Sequence, residues 1–197
     1  MKKQLSIKNI TRIAILAAVG AILMLLDFPI FVAPQFYKLD IGDLPCLIGA
    51  FAMGPVPALF IQIIKILIKL LLKPTSTAFI GEMAALIVSS VYCVTAGIIY
   101  RQNKSKKGAI KAMIIGSICM ILVSVIANYL FIIPAFSTLY EMPLEAIIGL
   151  GNDIFPIIDD LFSFVLCCVL PFNIIKAAMI DVLTLLLYKH ISPLLKS

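Results

Sequence analysis

Six apolar runs succeed one another along this chain, at residues 11–33, 44–56, 58–73, 77–100, 111–134 and 163–189. Most are long enough to cross a bilayer, whose hydrocarbon core of about 30 Å takes roughly 20 helical residues. Backbone in lipid must satisfy its own hydrogen bonds, so membrane-crossing segments are helices or closed barrels. The runs predict an all-α integral membrane protein: a six-transmembrane-helix bundle forming one membrane domain over residues 1–197. Composition agrees, at 62% hydrophobic against about 45–50% in soluble domains. The second run is short for a bilayer and is expected to be tilted or shielded by neighbours. Gly54–Pro57, "GPVP", marks a tight break before the third. The start, "MKKQLSIKNITR" followed by an apolar run, resembles a signal peptide. It is read as a retained first span, because the apolar chain resumes after Asp27.

Charge sets the expected orientation. Lys2, Lys3, Lys8 and Arg12 precede the first run. Arg101, Lys104, Lys106, Lys107 and Lys111 lie between the fourth and fifth, and Lys189 and Lys196 follow the sixth. These eleven of sixteen basic residues fall on one side of a six-span bundle, which the positive-inside rule makes cytoplasmic. The chain is therefore expected in the plasma membrane, multi-pass, with both termini in the cytoplasm. The net charge of +6 is accounted for by topology, with no nucleic-acid partner. The opposite side is acidic, with Asp40 and Asp43 after the first span and Glu141, Glu145, Asp153, Asp159 and Asp160 between Ala135 and Leu161. Within that segment "LEAIIGLGNDIFPIIDDLF" predicts an interfacial helix.

The chemistry-bearing residues exclude most enzyme classes. The five cysteines are odd in number and form no CxxC pair, which argues against a disulfide framework or a zinc site; they read as small packing residues. The one histidine, His190, sits at the end of the last run. There is no Walker, GxSxG or HExxH motif. No metal, no cofactor and no catalytic residues are expected. An intramembrane enzyme, the alternative of another class, would need a nucleophile–base pair or a metal cluster within the spans. The chain also lacks an evident internal repeat, whereas self-sufficient transporters are generally built from inverted repeats. A binding subunit that works with other proteins fits better.

Lys65, Lys69 and Lys73 recur at four-residue spacing inside the third run. Lysine at a helix centre in hydrocarbon costs roughly 2.5–3.5 kcal/mol, and this spacing keeps all three near one helix face. Lys73 falls at the membrane edge and can snorkel, while Lys65 lies about 12 Å deeper. The plain alternative is that all three snorkel; the functional one is that they wall a polar cavity opening outward. Glu82, near the start of the fourth run, is the expected counter-ion for Lys69 or Lys65. Asn128 with Tyr129 in the fifth run, and Asn173 with Lys176 in the sixth, add polar groups. Intramembrane polar residues that converge imply a site. A site rich in amides and amines with one carboxylate suits a neutral, heteroaromatic, hydrogen-bonding ligand.

The stretch "FYKLDIGDLPCLIGAFAMGPVPALFIQIIKILIKLLLKPTSTAFIGE" resembles the riboflavin-specific S components of energy-coupling factor transporters. So do "NYLFIIP", "PFNIIKA" and "LYKHISPLL", and the likeness covers most of Leu39 to Leu195. Pro74 stands where the family has glycine, and Ile66 where it often has a polar residue. The resemblance implies a six-helix bundle that captures riboflavin from outside. A T component and two cytoplasmic ATPases would be its partners, with the lipid bilayer around it. It implies that Asn173 and Lys176 hydrogen-bond the flavin ring and that Asn128 contacts the ligand. Glu82, Thr75 and Ser76 would shape the outer end, Leu39 and Asp40 would belong to a lid, and Lys65 would line or buttress the site. Ala14 and Ala18, a small-xxx-small pair, would dock the T component, the alternative being ordinary internal packing. Flavin mononucleotide or another vitamin is the alternative ligand within the class; cationic thiamine is disfavoured by the lysines.

Overall fold

The computed structural model describes residues 7–195, with side chains through Tyr188. Lys2, Lys3 and Lys196, and the side chains of Lys189 and His190, lie outside the described residues. The described chain is built of seven helices and one small strand pair. Helix α1 is Ile7–Leu25. Strands β1 (Phe28–Pro29) and β2 (Lys38–Leu39) pair antiparallel, Phe28 opposite Leu39. Helices α2 (Asp43–Met53), α3 (Pro55–Leu72) and α4 (Ile80–Gln102) follow. Helix α5 is Lys106–Ala127 continued by a π turn, Asn128–Ile132, and by Ile133–Leu139. Helix α6 is Leu144–Asn152. Helix α7 is Leu161–Phe164, a π turn over Val165–Val169, and Leu170–Leu195.

Five of these helices, α1, α3, α4, α5 and α7, are long and apolar enough to cross a membrane. The second of the six expected spans, read as short for a bilayer, falls at α2, which has 11 residues, about 16 Å of rise, roughly half the bilayer core. It survives by shielding rather than length. Leu44, Cys46, Leu47, Gly49, Ala50 and Phe51 are all buried, and α2 packs against α1, α3, α4 and α7. The first span was expected to reach residue 33, but α1 stops at Leu25. Asp27, Pro29 and Pro34 turn the chain aside, since proline removes a donor and clashes with the preceding turn. The segment expected to hold an interfacial helix contains α6.

The breaks have local causes. Gly54 adopts φ 101°, which only glycine does without strain. A Cβ there would also strike the Arg101 guanidinium, 2.1 Å from Nη2. Pro55 opens α3 at a position where its missing N–H costs nothing. Ser105 caps α5 by accepting from Gly108 N–H at 3.0 Å, and Asp160 and Ser163 form a capping box at the start of α7. Each π turn lies just before or around a proline, Pro134 in α5 and Pro171 in α7. The wider turn relieves the clash between the ring and the preceding carbonyl.

Two apolar clusters fill the molecule. The larger joins α1, α2, α3, α4, α5 and α7 through small residues, Ala17, Ala50, Ala58, Cys93, Ala96 and Ala112, all fully buried. Small side chains let helices approach where lipid offers no hydrophobic drive. The smaller cluster, with Ala33, Leu39, Ile133, Ile147, Ile158 and Phe164, packs the strand pair and α6 over one end of the bundle. Ile15, Ile22, Leu67, Leu122 and Leu186 stay exposed on the outer faces, as lipid-facing positions do.

Candidate functional site

A cavity of about 280 Å³ opens beneath the strand pair, between α3, α4, α5 and α7. The π turn of α5 contributes Asn128 and Ile132 to the lining, and α7 contributes Phe172 and Asn173, a few residues past its own π turn. π turns are frequent at functional sites. The α1–α2 connection supplies Phe36, Tyr37, Lys38 and Asp40, α3 supplies Lys69, and Lys73 follows just past its end. Phe36 stacks on Phe136 with ring centroids 5.1 Å apart, and Tyr37 tilts against Phe172 at 5.3 Å. The walls are thus aromatic as well as polar.

Each charged group of the inner cavity has an opposite partner. Lys69 Nζ donates to Glu82 Oε1 at 2.6 Å. The turn before α4 is organised around the same carboxylate. The Thr75 and Thr77 hydroxyls donate to Glu82 Oε2 at 2.9 and 3.1 Å, while Thr75 Oγ1 accepts from the N–H groups of Thr77 and Phe79. Those bonds hold Ala78 and Phe79 at positive φ, 46° and 68°, a conformation uncommon for residues other than glycine. Deeper, Lys176 Nζ lies 2.9 Å from Asp40 Oδ2 and 3.2 Å from Asp43 Oδ2. Lys65 Nζ lies 2.6 Å from Asp43 Oδ1, with both side chains 1% exposed. At the rim, Lys38 and Lys73 share Asp27 at 3.7 and 3.2 Å.

The amides are held too. Tyr37 donates its hydroxyl to Asn128 Oδ1 at 2.6 Å, and Asn128 Nδ2 donates to the Ser124 carbonyl at 2.8 Å. Asn173 Nδ2 donates to the Val169 carbonyl at 2.9 Å, within α7. Burial pushes the Tyr37 phenol well above its ordinary value, with a lesser contribution from Cys168, so it remains a donor across physiological pH. Further along the bundle the hydroxyls of Tyr92 and Ser117 donate to Asp181, joining α4, α5 and α7.

Of the residues singled out in the sequence, Asn128, Asn173, Lys176, Glu82, Ser76 and Asp40 line this cavity. Thr75 sits behind Glu82. Leu39 is buried in the cluster beneath the strand pair, 2% exposed. Lys65 is not on the wall; it lies behind it against Asp43. Glu82 takes Lys69 as its partner rather than Lys65. Ala14 is exposed and Ala18 half-buried on the outer side of α1, while Ala17, Gly20 and Ala21 form its packed face. Sequence reasoning missed Asp43, which it placed in an outer loop, and the aromatic walls. An acid in the first turn ahead of Leu44 and Pro45 was the available signal for Asp43, and the paired aromatics Phe36 and Tyr37 beside Lys38 were the signal for the walls. Among the described residues no cluster of potential metal ligands occurs.

A family model described as ECF transporter, substrate-specific component, matches residues 8–188. The riboflavin transporter RibU of Staphylococcus aureus (strain TCH60) is 28% identical over 189 residues, covering 96% of this chain and 93% of that protein. The riboflavin transporter FmnP of Bacillus subtilis (strain 168) is 24% identical over 190 residues, covering 96% and 94%. A solved S component of a bacterial ECF transporter superposes with a TM-score of 0.75 at 29% identity, covering 96% of this chain and 98% of that one.

Proposed function

Because the chain belongs to the family of substrate-specific components of ECF transporters, we propose that it captures riboflavin in the cavity between α3, α4, α5 and α7. A T component and two cytoplasmic ATPases would drive its uptake. It is a transport subunit, not an enzyme. The observation that carries the ligand assignment is the mutual neutralisation of the inner charges: Lys69 with Glu82, and Lys65 and Lys176 with Asp40 and Asp43. A charged ligand would have to break these pairs, whereas removing one partner of a buried pair costs about 3–5 kcal/mol. An uncharged ring with polar edges can use Asn128, Asn173 and Lys176 and lie against the aromatic wall of Phe36, Phe136 and Phe172. The relatives named as riboflavin transporters support this ligand.

In this reading α2 completes a sixth, short pass, both termini face the cytoplasm, and the cavity opens to the outside of the plasma membrane. Ser76, Thr75 and Glu82 form the outer wall, and Leu39 and Asp40 the base of a lid. Ala14 and Ala18 offer the T component a smooth face on α1. Flavin mononucleotide is the second reading, favoured by the rim, where Lys38 and Lys73 face a single carboxylate, Asp27. The test is uptake. Expressed with a T component and ATPases in a riboflavin-auxotrophic bacterium lacking its own importer, the chain should restore growth at low riboflavin. Full expression without growth or accumulation of labelled riboflavin would overturn the assignment.

A further inference from the structure

Asp43 opens α2, and its side chain is 1% exposed. An ionised carboxylate that deep must be paired and hydrogen-bonded, and this one is held from three other helices. Its Oδ1 accepts from Lys65 Nζ at 2.6 Å and Gln62 Nε2 at 2.8 Å, both on α3. Its Oδ2 accepts from Ser89 Oγ of α4 at 2.7 Å and lies 3.2 Å from Lys176 Nζ of α7. Asp43 does not itself line the cavity, but Ser89 and Lys176 do.

We infer that Asp43 is a positioning residue for ligand binding, holding the Lys176 ammonium in place on the cavity floor. The inference rests on the reading that Lys176 contacts riboflavin. A lysine ammonium sits on a flexible four-carbon stem and has three donors. The Asp40 carboxylate, 2.9 Å away, takes one donor, but Asp40 belongs to the connection between β2 and α2. Asp43 adds a second negative charge, its Oδ2 3.2 Å from Nζ, from the buried first turn of α2, and its own place is fixed by Lys65, Gln62 and Ser89. Two carboxylates from two elements fix the ammonium and leave donor capacity for a ligand. Preorganised groups bind more tightly because less freedom is lost on binding. Lys65 then has a task away from the cavity: it supplies the charge that lets Asp43 stay ionised while also serving Lys176.

A double-mutant cycle tests this. Asp43→Asn alone leaves Lys65 buried without its counter-ion, so the charge-balanced pair Asp43→Asn/Lys65→Met keeps the question answerable if the single variant fails to fold. On the parent background this pair should weaken riboflavin binding, followed by flavin fluorescence quenching, by about tenfold. On a Lys176→Met background the same pair should change the remaining affinity by less than about twofold, because its effect passes through Lys176. Equal losses on both backgrounds would mean a general structural role and would overturn the inference. A ligand-independent measurement separates this from the functional reading. In ¹⁵N-lysine spectra of the purified protein, the Lys176 Nζ resonance, assigned with Lys176→Met, should move in the Asp43→Asn/Lys65→Met pair. An unmoved resonance overturns the positioning role even if riboflavin binds. A parent protein that binds no riboflavin, with the resonance moved, overturns the ligand assignment and leaves the positioning role standing.

Discussion

Lys65 and Lys73 bracket what a single residue discloses in a sequence. The depth of Lys65 was legible from spacing alone, and so was the need for a partner, because lysine in hydrocarbon is costly. Which partner it takes was not legible. Asp43 lies 22 positions away and reads as a loop acid until α2 is seen to begin there. Lys73, 45% exposed beside Asp27, has the rim position that its place at the end of the run predicts. The same depth order ranks the expected effects on ligand affinity. Lys176→Ala removes a charged donor from the floor; bonds to charged groups are worth roughly 1.5–3 kcal/mol, so binding should weaken by about tenfold to a hundredfold. Asn173→Ala, which removes a neutral amide worth about 0.5–1.5 kcal/mol, should weaken it several-fold. Lys73→Ala, at a solvent-screened pair, should change little. Flavin fluorescence titration of the three purified variants checks the ranking, and a Lys73→Ala loss equal to that of Lys176→Ala would contradict it.

At the scale of elements, long apolar runs translated directly into α3, α4, α5 and α7, because each is long enough to satisfy its backbone inside lipid. The misplaced boundary was at α1, where residues 26–33 are apolar enough to extend the run but carry Asp27 and Pro29. Hydropathy sums over such breakers, while hydrogen bonding does not. The π turns at Asn128–Ile132 and Val165–Val169 were also beyond the pattern, since a one-residue widening barely changes apolar periodicity. Helix α1 carries a prediction of its own. Its inner face is spent on Ala17, Gly20 and Ala21, so Ala14 and Ala18 are available to another protein. Replacing both with leucine should abolish uptake in the riboflavin-auxotrophic strain carrying the T component and ATPases, while leaving riboflavin binding to the isolated chain unchanged. Full uptake by that variant would deny the face a docking role, and weakened binding would return it to internal packing.

For the whole molecule, the all-helical membrane class followed from composition and run length. The cavity followed only in outline, as a set of polar residues with nowhere else to go. Its full neutrality is a property of the assembled fold: the sequence offered the lysines one carboxylate, Glu82, and the set of ion pairs closed once Asp40 and Asp43 were also brought to them. That neutrality, with aromatic walls, is the central claim, and it commits the cavity to an uncharged ring system. The most direct test is a titration of the purified chain in detergent with riboflavin, following the flavin fluorescence, with cationic thiamine as competitor. The account predicts saturable quenching at one riboflavin per chain that excess thiamine does not reverse. Absence of quenching, or its full reversal by thiamine, would contradict it.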